Sequence, residues 1–537
     1  MMVVFKSSLS KLGIRSTCLA LSALALIAMF PILSASQAAD EDLQKLARAA
    51  TLIQTAKLDE AEGLLWQVLT SHPENAEALN LLGSIRLQQK RYAESETLLR
   101  RAISLAPASL PAYINLAHLF QAQGEDDKEL AELLEAQRIA PNNSEVNCSL
   151  AAVYLKEKDF HLALGTLERI PRGHRPDAAL PLLATSYLGL DRVADARALE
   201  PVVAVRAAKN PGLPVEFAEA LLDFNLTNDA LSILETAQKQ QAPTAELFFA
   251  LGRARERKGE LAVAQKDFRR ALELNPHSVN ALQELAHLLA DQGQWEKSLE
   301  LLRRARTSDP DSPEVLRKFA ATSLHAGHTS DAVDAAQQLV KLRPNEAEAL
   351  YLLGVAQLQN GDFEPARTTL ESYTKLHPQD ALAMLALGMA NAGLHSFPSA
   401  RENFDQSIKL DPNQAEPYYQ LALILRDQGD NSAAIAQLEK AISLDKQKAP
   451  AQAVLGTLYL LQQDYVKAQE HLTRAALLSP DTPDTHYQLG LLYARLNQHD
   501  RAQREMEQFR KLKDKGQSGA TPPADRPATS TPTSHPS

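Results

Sequence analysis

Apolar side chains along this chain recur at helical spacing, and the helical patterns come in pairs with a period of 34 residues. Between Ala245 and Ser312 the pair is written out twice. The first copy has Leu251-Gly252, Gly259, Ala264, Phe268, Ala271 and Pro276; the second has Leu285-Ala286, Gly293, Ser298, Leu302, Ala305 and Pro310 in the same places. Each copy holds two amphipathic helices, one on either side of a glycine. The proline ends the second, because it lacks an N–H and clashes with the turn before it. Gly252, Ala264, Ala271 and their equivalents mark close helix crossings, where a larger side chain would hold the backbones apart.

The same marks run through nearly the whole chain. Pro73, Pro107 and Pro141 stand 34 apart, and so do Pro276, Pro310, Pro344, Pro378 and Pro412. Leu353-Gly354, Leu387-Gly388, Leu421-Ala422, Leu455-Gly456 and Leu489-Gly490 repeat the leucine–small pair, and Ala366, Ala400, Ala434, Ala468 and Ala502 repeat the alanine of the second helix. Pattern and period resemble the tetratricopeptide repeat. The resemblance implies an all-α fold, a right-handed superhelical solenoid of about fourteen helix-turn-helix repeats. A single pair cannot bury its own apolar face, so stacked neighbours share one core.

Residues 1–38 read as a signal peptide, with Lys6, Lys11 and Arg15 ahead of an apolar run from Thr17 to Leu33 and small residues at Ser36 and Ala38. An uncleaved N-terminal anchor is the alternative. Either reading places the repeats outside the cytoplasm, in a periplasm or cell envelope. An N-terminal array over 39–176 is followed by degenerate repeats over 177–244, where Pro201 interrupts a helix and the unit ends late at Pro211. Two readings of this stretch stand open, a joint between arrays and two irregular repeats in one rigid solenoid. A C-terminal array over 245–515 ends in a charged cap helix, and 516–537 is a Pro/Ser/Thr-rich tail expected to be disordered.

Composition narrows the partners. Lys and Arg total 56 against 66 Asp and Glu, a formal charge of −10, and loss of the leader would take it to −13. That balance argues against nucleic acid, which needs basic patches. Of two cysteines, Cys18 falls in the leader, so Cys148 has no intramolecular partner and stability must come from packing.

In the family it resembles, the first helix of each repeat lines a concave groove where ligands bind. Two positions four apart on that helix should point into it. In earlier repeats these are Asn80 and Ser84, Ile114 and His118, Phe249 and Arg253, Gln283 and His287, Arg317 and Ala321. Later they become Tyr351 and Val355, Leu385 and Met389, Tyr419 and Leu423, Ala453 and Thr457, Tyr487 and Leu491. Tyr351, Val355, Leu385, Met389, Tyr419, Leu423, Tyr487 and Leu491 are therefore the groove candidates for gripping a peptide segment, tyrosine being favoured in binding surfaces. The competing reading packs them between neighbouring first helices.

Chemistry is sparse. The lysine/asparagine clamp with which some family members hold a free C-terminal carboxylate is absent from the matching places. Acids such as Glu77, Glu145, Glu246, Glu314, Glu348, Glu416 and Asp484 open first helices, where they complement the helix dipole. His325 and His328 are too few ligands for a metal, and no phosphate loop, nucleophile–base pair or His-Glu-x-x-His helix is present. The expectation is a scaffold with no catalytic residue, no metal and no cofactor, binding a protein or peptide partner in the groove. The alternatives are a substrate-delivering or regulatory subunit of an envelope enzyme or export complex, such as one for polysaccharide, and a self-assembling structural element. A catalytic domain of its own is not expected beyond the repeats.

Truncating one core leucine tests the shared-core argument. Leu285→Ala should destabilise its array by about 2–5 kcal/mol, read as a lowered urea midpoint of the full chain.

Overall fold

The computed structural model describes residues 37–240 and 242–518. Nearly all of the expected leader, and the tail from 519, lie outside the described residues. Among those described there are fourteen helix pairs and no strand. The described residues form two compact units, those up to Leu288 and those from Leu289 onward. Each is a stack of helical hairpins, as the repeat pattern implies. In the repeat read first, an opening helix spans Ala245–Arg257 and a closing helix Leu261–Leu274.

One turn geometry joins the two helices of every pair. Its key residue has positive φ: Ala56, Lys90, Gly124, Lys158, Asp191, Asn225, Gly259, Gly293, Gly327, Gly361, His395, Gly429, Gln463 and Asn497. The next N–H then reaches back to the carbonyl five residues before it, as in Glu260 N–H to Arg255 O at 2.8 Å and Ser396 N–H to Asn391 O at 2.9 Å. This is the Schellman closure of a helix end. Glycine enters such a backbone without strain, as at Gly259 (φ 84°), whereas His395 (φ 58°) does so against its Cβ. Asn225, the first residue of an Asn-Leu-Thr triplet, is in this same turn slot. Local conformation accounts for that asparagine.

Small residues on the opening helix do more than let backbones approach. Each listens to the residue sixteen further on, whose side chain plugs the space. A Cβ placed on Gly252 would lie 2.5 Å from the Phe268 ring, on Gly388 2.5 Å from Phe404, and on Gly354 2.7 Å from Leu370. Where alanine holds the slot, the residue sixteen on is leucine after Ala49, Ala117, Ala151, Ala218, Ala286 and Ala422, Glu200 after Ala184 and Ala336 after Ala320, never phenylalanine. Phe268 and Phe404, both fully buried, face glycine. The bulkiest plug, phenylalanine, is thus confined to hairpins whose slot is glycine, as close packing requires.

The irregular stretch has a simple local cause. Turn residues Lys158 and Asp191 are 33 apart, the one departure from 34. After the opening helix Ala179–Gly189 the closing helix comes in two pieces, Val193–Arg197 and Glu200–Arg206. Pro201 lies in the first turn of the second piece, where its missing N–H has no carbonyl to leave unpaired. Packing nonetheless continues: Leu180, Ala184, Val203, Phe217, Leu234 and Leu251 belong to one buried cluster.

Two glycines in helices make a matched test. Gly252→Ala should destabilise by about 1–3 kcal/mol because the Phe268 ring must move. Gly165→Ala, with nothing within 4 Å of the new methyl, should stabilise by about 0.5–1 kcal/mol through helix propensity. Chemical denaturation of the two full-length variants separates these signs.

Candidate functional site

The candidate residues stand on the opening helices Ala347–Asn360, Ala381–Gly393, Ala415–Asp427 and Pro483–Arg495 of the second unit. Asp380 caps one of them by accepting from the N–H groups of Leu382 and Ala383. Tyr351, Val355, Met389, Tyr419, Leu423 and Leu491 are half-buried. Tyr487 is 39% exposed and Leu385 only 8%. Leu385 belongs to a packed cluster with Ala400, Phe404 and Leu421, so it supports the stripe from beneath.

Each tyrosine is backed by its own repeat or the next. Tyr351 leans on Tyr373 with ring centroids 5.2 Å apart, Tyr487 on Phe509 at 5.3 Å, and the Lys448 ammonium lies 5.1 Å over the Tyr419 ring. Lys448 is also paired with Glu416. The hydroxyls differ from those of neighbouring tyrosines. Tyr373 donates to Asp380, Tyr418 to the Pro412 carbonyl and Tyr459 to Glu439. No residue of the chain accepts from or donates to the hydroxyls of Tyr351, Tyr419 or Tyr487 among the described residues. Leu382, three residues before Leu385 and 54% exposed, adds to this surface; its i, i+3 spacing was the available signal.

The polar positions of the first unit are occupied differently. Asn80 (3% exposed) accepts from Asn115 at 2.8 Å, and Ile114 is buried. Arg253 is paired with Glu219. In the second unit Arg317 is paired with Glu346 and Glu348. Asn80, Arg253 and Arg317 are thus each engaged by a partner inside the chain.

Burial perturbs several titrations in the first unit. It lowers His118 to about 4 and raises Glu145 to about 7. At Glu145 desolvation therefore outweighs the helix N-terminus that was expected to favour its charge. Glu129 is raised to about 7 by burial first and Asp126 second, with Lys156 opposing. It occupies the slot that is Ala264 or Ala366 in other repeats, and it is 4% exposed. His325 stacks on Trp295 (centroids 4.5 Å apart) and His328 bonds Glu296 at 3.1 Å. No group of three or more potential ligands able to hold a metal is present among the described residues.

The chain belongs to the tetratricopeptide repeat family: models of that repeat match residues 46–109, 257–320, 323–388, 415–448 and 483–514. It is 25% identical to Superkiller complex protein 3 of Mus musculus over 256 residues, 46% of this chain and 16% of that protein. It is also 25% identical to Cellulose synthase operon protein C of Xanthomonas axonopodis pv. citri (strain 306) over 285 residues, 50% of this chain and 19% of that protein. The chain thus spans less than a fifth of either relative. Among solved structures it is similar to the APC/C hetero-tetramer Cut9-Hcn1 (15% identity, TM-score 0.40, 85% of this chain and 99% of that one). Yeast Tom70 gives 17% identity, TM-score 0.34, and 82% and 99% coverage. MamA of Desulfovibrio magneticus RS-1 gives 23% identity, TM-score 0.29, and 32% and 96% coverage. No helix among the described residues is long and apolar enough to cross a membrane.

Glu129 makes stability depend on pH. Its folded form holds the proton more tightly than the unfolded chain, so its contribution is full below about pH 4.5 and is lost as pH rises to about 7. Glu129→Ala should raise the thermal midpoint at pH 8 and flatten the profile between pH 5 and 7, the upper limit being about 3 kcal/mol. A thermal melt series of the two proteins across that range reads the effect.

Proposed function

We propose that this chain is a non-enzymatic protein-binding scaffold of the cell envelope. A peptide segment or partner protein lies on the opening helices of its later repeats, touching Tyr351, Val355, Met389, Tyr419, Leu423, Tyr487 and Leu491, with Leu385 underneath. The observation that carries this is the hydroxyls of Tyr351, Tyr419 and Tyr487. With rings backed by Tyr373, Lys448 and Phe509 and hydroxyls unpartnered within the described residues, they offer contact area and a donor each at small entropic cost.

A second reading makes the chain a substrate-delivering or regulatory subunit of an envelope enzyme or export complex. Similarity to Cellulose synthase operon protein C favours it and supports the envelope setting, where the Met1–Ala38 leader pattern points as well. The two readings share the binding face. They differ in whether an enzymatic activity accompanies the partner.

Affinity capture from envelope extract tests both. The bait is the full chain beside a variant carrying Tyr351→Ala, Tyr419→Ala and Tyr487→Ala, and a second with phenylalanine at the same places, each shown folded by circular dichroism. A partner held by the parent, lost from the alanine variant and weakened in the phenylalanine variant is the expected result. Retention by the alanine variant would sink the stripe as the binding face. A polysaccharide-synthesising activity in the captured material would favour the second reading, and self-association of the bait alone would favour a structural element.

A further inference from the structure

The closing-helix side of the first unit carries a feature apart from the tyrosine stripe. Beside the broken helix, between Glu200–Arg206 and the next closing helix Thr227–Gln240, is a cleft of about 280 Å³. Its walls include the apolar Val203, Ala204, Pro214, Ile233 and Ala237, with the polar Ser232, Thr236 and Gln240 on the facing helix. Glu200 also lines it, and Oε1 of that carboxylate is shielded from solvent with no hydrogen-bond partner. Arg197 is at the margin, but its guanidinium is engaged with Oδ2 of Asp229 at 2.8 and 3.0 Å. Arg197 and Asp229 balance each other. Glu200 is left as the uncompensated charge.

We propose that this cleft receives a lysine side chain presented by a partner protein. Four methylenes match the apolar part of the lining, and the terminal ammonium pairs with the Glu200 carboxylate at the cleft wall. A carboxylate with one oxygen shielded and unpartnered is costly, and a nearby cation relieves that cost. Burial raises the Glu200 carboxyl above its ordinary value, Asp229 adds to this and Arg197 opposes it.

Ligand-observed NMR titration of the full chain at pH 8 tests the proposal. The probes are N-acetyl-lysine N-methylamide and its uncharged isostere N-acetyl-norleucine N-methylamide. Saturable binding of the lysine probe, tighter than the norleucine probe by about tenfold, is expected from one desolvated charge-assisted hydrogen bond. Glu200→Gln should remove that preference, and Ala204→Trp, which fills the cleft from its rim, should abolish binding of both probes. No saturable binding, or a lysine preference that survives Glu200→Gln, overturns the proposal. Should Glu200→Gln fail to fold by circular dichroism, Ala204→Trp decides alone: loss of binding supports the cleft and retention overturns it. Neither variant touches the tyrosine stripe, so failure here leaves that reading standing.

Discussion

Everything in this chain depends on one left-handed residue per repeat. It reverses the chain over a few residues and lets the following N–H close the end of the opening helix. That fixes where the closing helix starts, and hence which side chain meets the small residue sixteen positions earlier. Eight of the fourteen turns achieve this without glycine. A non-glycine residue there costs on the order of 1–2 kcal/mol, so the packing of each hairpin must over-determine the turn. The plug of Phe268 into Gly252 and of Leu99 into Gly83 shows what does so.

Much of this was legible in the sequence, for a physical reason. A solenoid repeats its contacts, so a slot such as Gly252/Phe268 recurs as Gly354/Leu370 and Gly388/Phe404 and stands out from noise. The turn was legible where it used Gly259 or Gly293. At Ala56, Lys90, His395 and Gln463 it was not, because nothing in those residue types signals positive φ. Close helix crossing was anticipated; that a side chain sixteen residues on fills the gap over the glycine needed the structure.

The candidate face was legible as a register and not as a surface. Spacing places Asn80, Ile114, Leu385 and Tyr487 in equivalent positions, yet exposure runs from 3% at Asn80 to 39% at Tyr487. Exposure depends on what the adjacent opening helix and the repeat's own closing helix offer. Asn115 reaches across to Asn80, and Leu385 sinks among Ala400, Phe404 and Leu421. The same dependence explains why tyrosine hydroxyls divide into two groups. Those of Tyr373, Tyr418 and Tyr459 find acceptors within the repeats, and those of the stripe do not.

Strict repetition also limits what a scaffold can offer, since equal units present equal surfaces. Distinct chemistry therefore arises where the period is broken. Glu129 in an alanine slot puts a titratable group at a helix crossing. The one-residue shortening between Lys158 and Asp191, with Pro201 behind it, divides a closing helix, and beside that division lies a cleft with an unsatisfied carboxylate oxygen. The core continues through the break, so the fold tolerates it. A defect that leaves the core intact while adding a charged cleft is better read as a feature of recognition than as decay of the repeat.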